Sequence, residues 1–196
     1  MTVVLIAGSP SEKSRSAALL DGVQQRLHAR GAHVERLHIR DLSPQALILA
    51  DFGNRTIIEA SRRVAAADVV VVATPVYKAA YSGVLKVFLD LLPQTALAGK
   101  TVLPLATGGS PNHMLALDYA LRPVLQSLGA KHILPSIYAT DAQIKLTPEG
   151  TYLIDEDIGA RLDQAVNTLI TETLRPVLVP AGKFASVPFA QVRCSV

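Results

Sequence analysis

Asp68-Val69-Val70-Val71-Val72-Ala73 is a β-branched run with no polar break. Such a run reads as a strand buried on both faces, the habit of parallel sheets covered by helices. Thr74-Pro75-Val76-Tyr77-Lys78-Ala79-Ala80-Tyr81-Ser82-Gly83 follows, and then a helical pattern from Val84 to Leu92. The ten-residue stretch is therefore a loop at the carboxyl end of a central strand, the edge where open α/β sheets bind ligands. Two tyrosines, a lysine, a proline and a glycine suit a planar ligand that needs an apolar wall and backbone hydrogen bonds. An ordinary βα connection with a hydrophobic lid has the same composition, so the other loops on that edge must decide.

Strands are expected at 3–7, 34–39, 68–73, 101–106 and 131–139, and helices at 17–30, 55–67, 84–92, 114–128 and 155–174. Asp41 to Gly53 reads as irregular. The alternation predicts one doubly wound α/β domain with a five-stranded parallel sheet of flavodoxin-like order 2-1-3-4-5. Its switch point lies between the first and third strands. Residues 1–175 form the domain, and 176–196 read as a tail laid on the surface or on a partner. The loops at 8–16, 74–83 and 107–113 then border one crevice.

The first loop carries Ser9, Ser11, Ser14, Arg15 and Ser16 ahead of a helix. Free N–H groups and the helix dipole favour an anion there, and Arg15 adds a fork suited to phosphate. No Gly-Lys-Ser/Thr and no Gly-x-Gly-x-x-Gly is present, so a monophosphate fits better than a pyrophosphate. A capped helix start with solvated serines is the plainer alternative. Thr107-Gly108-Gly109-Ser110 lets backbone approach a ligand closely, although two glycines also serve a simple turn. No nucleophile, acid or base set is legible from spacing, and His28, His33, His38, His113 and His132 do not fall at metal-ligand spacings. Binding loops without a catalytic set point to a cofactor that carries the chemistry.

The net charge of +3 is dispersed and no basic stripe interleaves with aromatics, which argues against nucleic acid. No apolar stretch reaches membrane-spanning length. The start at Met1 reads as a strand rather than a leader, and the lone Cys194 permits no internal disulfide, so a cytoplasmic setting is expected. The helix at 84–92 is apolar nearly all round, which predicts burial against another subunit or deep inside the domain. Pro123 removes the hydrogen bond to the Tyr119 carbonyl, so a local bulge is expected at Tyr119.

Ala7-Gly8-Ser9-Pro10 with Ser14-Arg15-Ser16, Thr74-Pro75-Val76-Tyr77 with Tyr81-Ser82-Gly83 and Leu85-Lys86, and Thr107-Gly108-Gly109 together resemble the NADPH-dependent FMN reductase family. The blocks from Ala73 to Leu92 and Leu115 to Val124 are similar to the reductase components of two-component alkanesulfonate monooxygenase systems. The resemblance covers about residues 1–175. It implies a flavodoxin-like fold, reduction of FMN by NADPH, and release of reduced flavin to a partner monooxygenase. It places the FMN phosphate at Ser9, Ser14, Arg15 and Ser16. It places the isoalloxazine and ribityl chain at Pro75, Val76, Tyr77, Lys78, Thr107, Gly108, Gly109 and Ser110. It further implies a homodimer or homotetramer, with Tyr119 inserted near a subunit interface where it keeps flavin exchangeable. Two other readings compete: a reductase with tightly bound FMN acting on a quinone, azo compound or metal ion, and a flavodoxin-type electron carrier. Lys78, Arg15 and Arg122 are all open as contacts for the NADPH 2′-phosphate.

Overall fold

A computed structural model describes residues 1–173. The expected domain boundary at residue 176, the tail and Cys194 lie outside the described residues. The chain alternates strands and helices from its first residues. β1 (Thr2–Ala7), α1 (Arg15–His28) and β2 (His33–His38) come first, then α2 (Pro44–Ile48) and α3 (Arg55–Ala66). β3 (Val69–Tyr77), β4 (Ala80–Tyr81), α4 (Gly83–Asp90) and β5 (Thr101–Gly108) form the middle. A π-helical segment (Leu117–Leu121) runs into α5 (Arg122–Ser127), followed by β6 (His132–Ile133) and β7 (Ile137–Thr140). A hairpin of β8 (Ile144–Leu146) and β9 (Tyr152–Ile154) leads to α6 (Glu156–Thr173). Among the described residues no helix is long and apolar enough to cross a membrane.

The fold is α/β and flavodoxin-like, with parallel pairing along β2-β1-β3-β5-β6. The sheet has seven strands rather than the five expected, because β4 adds to β3 and β7 adds to β5. β4 is antiparallel to β3. The stretch expected as one strand at 131–139 is split in two, and both pieces lie parallel to β5. Prolines explain the split. Pro104 in β5 and Pro135 opposite it have no N–H to donate. Register also slips there: Val102 pairs with Ile133, but Leu105 pairs with Ile137, one residue too many on the outer side. That surplus residue is a bulge.

The valine run of β3 explains the three layers. Val69, Val71 and Ala73 face one side with Leu5 and Leu103, against Leu19, Leu20 and Val23 of α1 and Leu162, Val166 and Leu169 of α6. Val70 and Val72 face the other side with Ile6, against Ile57 and Val64 of α3, Leu85 and Phe88 of α4, and Leu125 of α5. Alternate residues of one strand thus supply two cores. In α4 and just beyond it, Leu85, Phe88, Leu89, Leu91 and Leu92 are buried within the chain. Val84 and Val87 pack against the same core. The apolar girth of this helix is largely absorbed inside the domain, so the surplus expected to mark an interface is smaller than its sequence suggests.

Two elements depart from the expected irregular stretches. Ser43 accepts a hydrogen bond from the Ala46 N–H at 3.3 Å and Pro44 occupies the first turn of α2, a sound helix start. The β8–β9 hairpin pairs Ile144 with Ile154 and Leu146 with Tyr152. β2 is an edge strand. Its Glu35 pairs with Arg63 of α3 at 2.8 Å, and its Arg36 pairs with Asp21 of α1.

Candidate functional site

Three loops meet at the carboxyl ends of β1, β3 and β5. They line a cavity of about 270 Å³ bounded by Lys13, Ser14 and Arg15, by Pro75, Val76 and Tyr77, and by Thr107, Gly108 and Gly109. β1 ends with Ala7 opposite Ala73, while β3 runs on to Tyr77, and Pro75 of β3 lies opposite Thr107 of β5. The crevice at the switch point follows from that register.

The α1 end has the features that suit an anion. Ser14 caps the helix by accepting from the Ala17 N–H at 3.1 Å, and the first turn holds no acidic residue. Ser14 Oγ also lies 3.2 Å from the Oγ of buried Ser16. Ser9 is buried and accepts from the Ser11 N–H at 3.1 Å. Arg15 Nε donates to the Ile144 carbonyl at 3.0 Å, which lays the guanidinium along the cavity wall.

The β3 loop is held from behind. Thr74 Oγ1 accepts from the Ser82 N–H and donates to the Pro75 carbonyl, each at 2.9 Å. Ser82 Oγ donates to the buried Gly8 carbonyl and accepts from the Leu85 N–H, capping α4. One serine therefore ties the ends of β1 and β3 to the helix that follows. Tyr77 pairs with Ala80 around a two-residue turn, Lys78-Ala79, in which both residues have positive φ (49° and 62°). That is the turn whose twist suits a hairpin, built here without glycine or asparagine. It carries Lys78 to the exposed rim, off the cavity wall.

The β5 loop is fixed by Tyr138 of β7. Its hydroxyl donates to the Ser110 carbonyl at 2.6 Å. Burial pushes this phenol above its ordinary range, with the Asp141 charge adding to the effect, so the hydroxyl stays protonated and remains a donor. Gly108 is packed so closely that an added Cβ would lie 2.6 Å from Tyr138 Oη.

Of the expected phosphate set, Ser14 and Arg15 line the cavity, whereas Ser9 and Ser16 support the loop from within. Of the expected ring set, Pro75, Val76, Tyr77, Thr107, Gly108 and Gly109 line it, whereas Lys78 and Ser110 flank it. Lys13, Asp141 and Tyr152 also line the cavity. Nothing in the sequence marked Asp141 or Tyr152, because both belong to the segment whose hairpin was not legible. Tyr119 stands apart on the π-helical segment, 79% exposed. There the Arg122 N–H reaches back to the Leu117 carbonyl one turn before Pro123, so the expected bulge is present. Arg122 itself turns to Asp118 and to the Ile133 and Leu134 carbonyls.

The residues fit a flavin mononucleotide: a cationic helix end at one side, a flat apolar wall and close-approach glycine backbone at the other. Comparison with known proteins agrees. Residues 1–145 match the family model described as NADPH-dependent FMN reductase. An FMN reductase (NADPH) from Pseudomonas putida is 50% identical over 151 residues, covering 77% of this chain and 76% of that one. An FMN reductase (NADPH) from Escherichia coli is 42% identical over 175 residues, covering 86% and 87%. A crystal structure of an apo NADH:FMN oxidoreductase superposes with a TM-score of 0.78 at 42% identity, covering 87% of this chain and 89% of that one. The chain belongs to the NADPH-dependent FMN reductase family, and it is an oxidoreductase whose ligands are FMN and NADPH.

Proposed function

We propose that this protein reduces FMN as an exchangeable substrate and passes the reduced flavin to a partner monooxygenase, one acting on alkanesulfonates. The observation that carries the reading is the convergence of three loop ends on one open cavity with a cationic helix start. The FMN phosphate sits at the α1 end, within reach of Ser14 and Arg15, in a loop that Ser9 and Ser16 shape from behind. The ring lies along Pro75, Val76 and Tyr77. Thr107, Gly108, Gly109 and Ser110 present backbone to its pyrimidine edge, and Lys78 guards the rim. FMN, when bound, supplies a ring that takes a hydride at N5 from the nicotinamide. The chain's own work is orientation and electrostatics: Tyr138 and Ser82 hold two of the loops, and the helix dipole with Arg15 balances the phosphate. The same fold can hold a resident flavin or act as an electron carrier, so turnover decides. With NADPH and a large molar excess of FMN under anaerobic conditions, many equivalents of FMN should be reduced per subunit. A halt near one equivalent would make the flavin resident and move the search to another acceptor. Oxidation of no NADPH while FMN still binds would favour the carrier.

The protein works as a homodimer or homotetramer, with Tyr119 at a contact between subunits. A large aromatic side chain this exposed, raised on a π-helical segment beside a proline, supports that placement. Tyr119→Ala should shift the assembly toward smaller species in sedimentation velocity and tighten FMN. Unchanged sedimentation together with unchanged FMN affinity would refute the role.

A further inference from the structure

We infer that Asp141 sets how loosely the protein grips FMN, by competing with the FMN phosphate for Arg15. This rests on placing the phosphate at the α1 end. Asp141 Oδ2 lies 3.5 Å from an Arg15 terminal nitrogen, and both side chains are partly open to solvent (47% and 38%). Asp141 is the one carboxylate among the described residues that line the cavity. Glu12, close by in sequence, is drawn to Arg40 instead at 3.8 Å.

The consequence is electrostatic. A phosphate arriving at Ser14 and Arg15 meets a guanidinium already paired with a carboxylate, and that negative charge on the same wall repels it. Lys13, on the same wall, is left to attract it. A resident cofactor would be served better by an amide at this position. A flavin that must leave after reduction is served by a carboxylate. The Asp141 backbone has a separate task, since its N–H donates to the Gly108 carbonyl at 3.1 Å. A side-chain substitution leaves that bond in place, so the charge can be removed without moving the β5 loop.

The test measures dissociation constants for FMN and riboflavin by flavin fluorescence in the wild type, Asp141→Asn, Asp141→Ser and Arg15→Gln. Removing the carboxylate should tighten FMN by about fivefold, the scale of a solvent-open charge pair, and slow its dissociation. Riboflavin, lacking the phosphate, should be unchanged. The FMN gain should shrink at 1 M salt, where the Debye length is about 3 Å. Asp141→Ser is the second variant should Asn perturb folding. If Arg15→Gln weakens FMN alone, but neither Asp141 variant tightens it, the inference falls and the phosphate placement stands. Equal tightening of riboflavin also overturns it. If the wild type does not prefer FMN to riboflavin and Arg15→Gln changes neither, the placement itself fails and the inference with it.

Discussion

Gly108→Ala should lower FMN affinity at least about tenfold and melt the protein several degrees early, while Gly109→Ala should leave the melting temperature nearly unchanged. The difference lies in what an added methyl would strike. At Gly108 it would sit 2.6 Å from Tyr138 Oη and 3.3 Å from Val76 Cβ, whereas at Gly109 its nearest neighbour is Asp141 Oδ2 at 3.8 Å. The tyrosine cannot simply step aside, because it is buried and its hydroxyl is bound to the Ser110 carbonyl. The backbone of the loop must move, and the face proposed to meet the flavin moves with it. Overpacking of this kind costs about 1–3 kcal/mol. For a chain of this size that is roughly 2–12 °C in melting temperature. A displaced loop losing about 1.4 kcal/mol of contact with the ligand accounts for the tenfold. Fluorescence titration and thermal unfolding read the two effects. Gly108→Ala combined with Tyr138→Phe removes the closest struck atom and should recover part of the stability. An FMN affinity in Gly108→Ala equal to that of the wild type would show that this backbone does not meet the flavin.

Ser82→Ala should cost about 2–4 kcal/mol, combining a lost helix cap with a buried carbonyl deprived of its donor. The serine is fully enclosed and serves two partners, the Gly8 carbonyl and the Leu85 N–H. Thr74 binds its backbone N–H in addition, so the side-chain loss strikes a network rather than one contact. The melting temperature should fall roughly 5–15 °C. Ser127→Ala serves as the control. Its hydroxyl donates to the Val124 carbonyl at 2.8 Å, but in an exposed position, and its loss should change stability by less than about 0.5 kcal/mol. A Ser82→Ala protein as stable as that control would mean the β1 and β3 ends are held together by the sheet alone.

Much of this was written in the local sequence. The valine run announced a strand enclosed on both faces, and its period-two side chains do feed two separate cores. Pro123 announced the π-helical segment, because a missing N–H has a local and predictable effect. The parts that were not legible share a cause. β4 is two residues long and exists only because Lys78-Ala79 turns the chain back on β3. The β8–β9 hairpin pairs three residues with three, too few for a periodic signal, although Pro148-Glu149-Gly150 between Leu146 and Tyr152 is a turn signature in retrospect. With the hairpin unseen, the segment carrying Asp141 and Tyr152 into the cavity could not be placed. The break between β6 and β7 combines Pro135, which is visible in 131–139, with a register slip against the distant strand β5, which no local pattern carries. Pairing across the sheet decides such features.

β2 borders the sheet with Glu35 and Arg36 tethered to α3 and α1 by ion pairs. An open sheet edge is a template on which a second chain can add a strand, the first step toward a fibre or a precipitate. Charges fixed along that border would have to be stripped of partners and water before another strand could dock. The protein is therefore guarded against edge-to-edge aggregation on this side of the sheet.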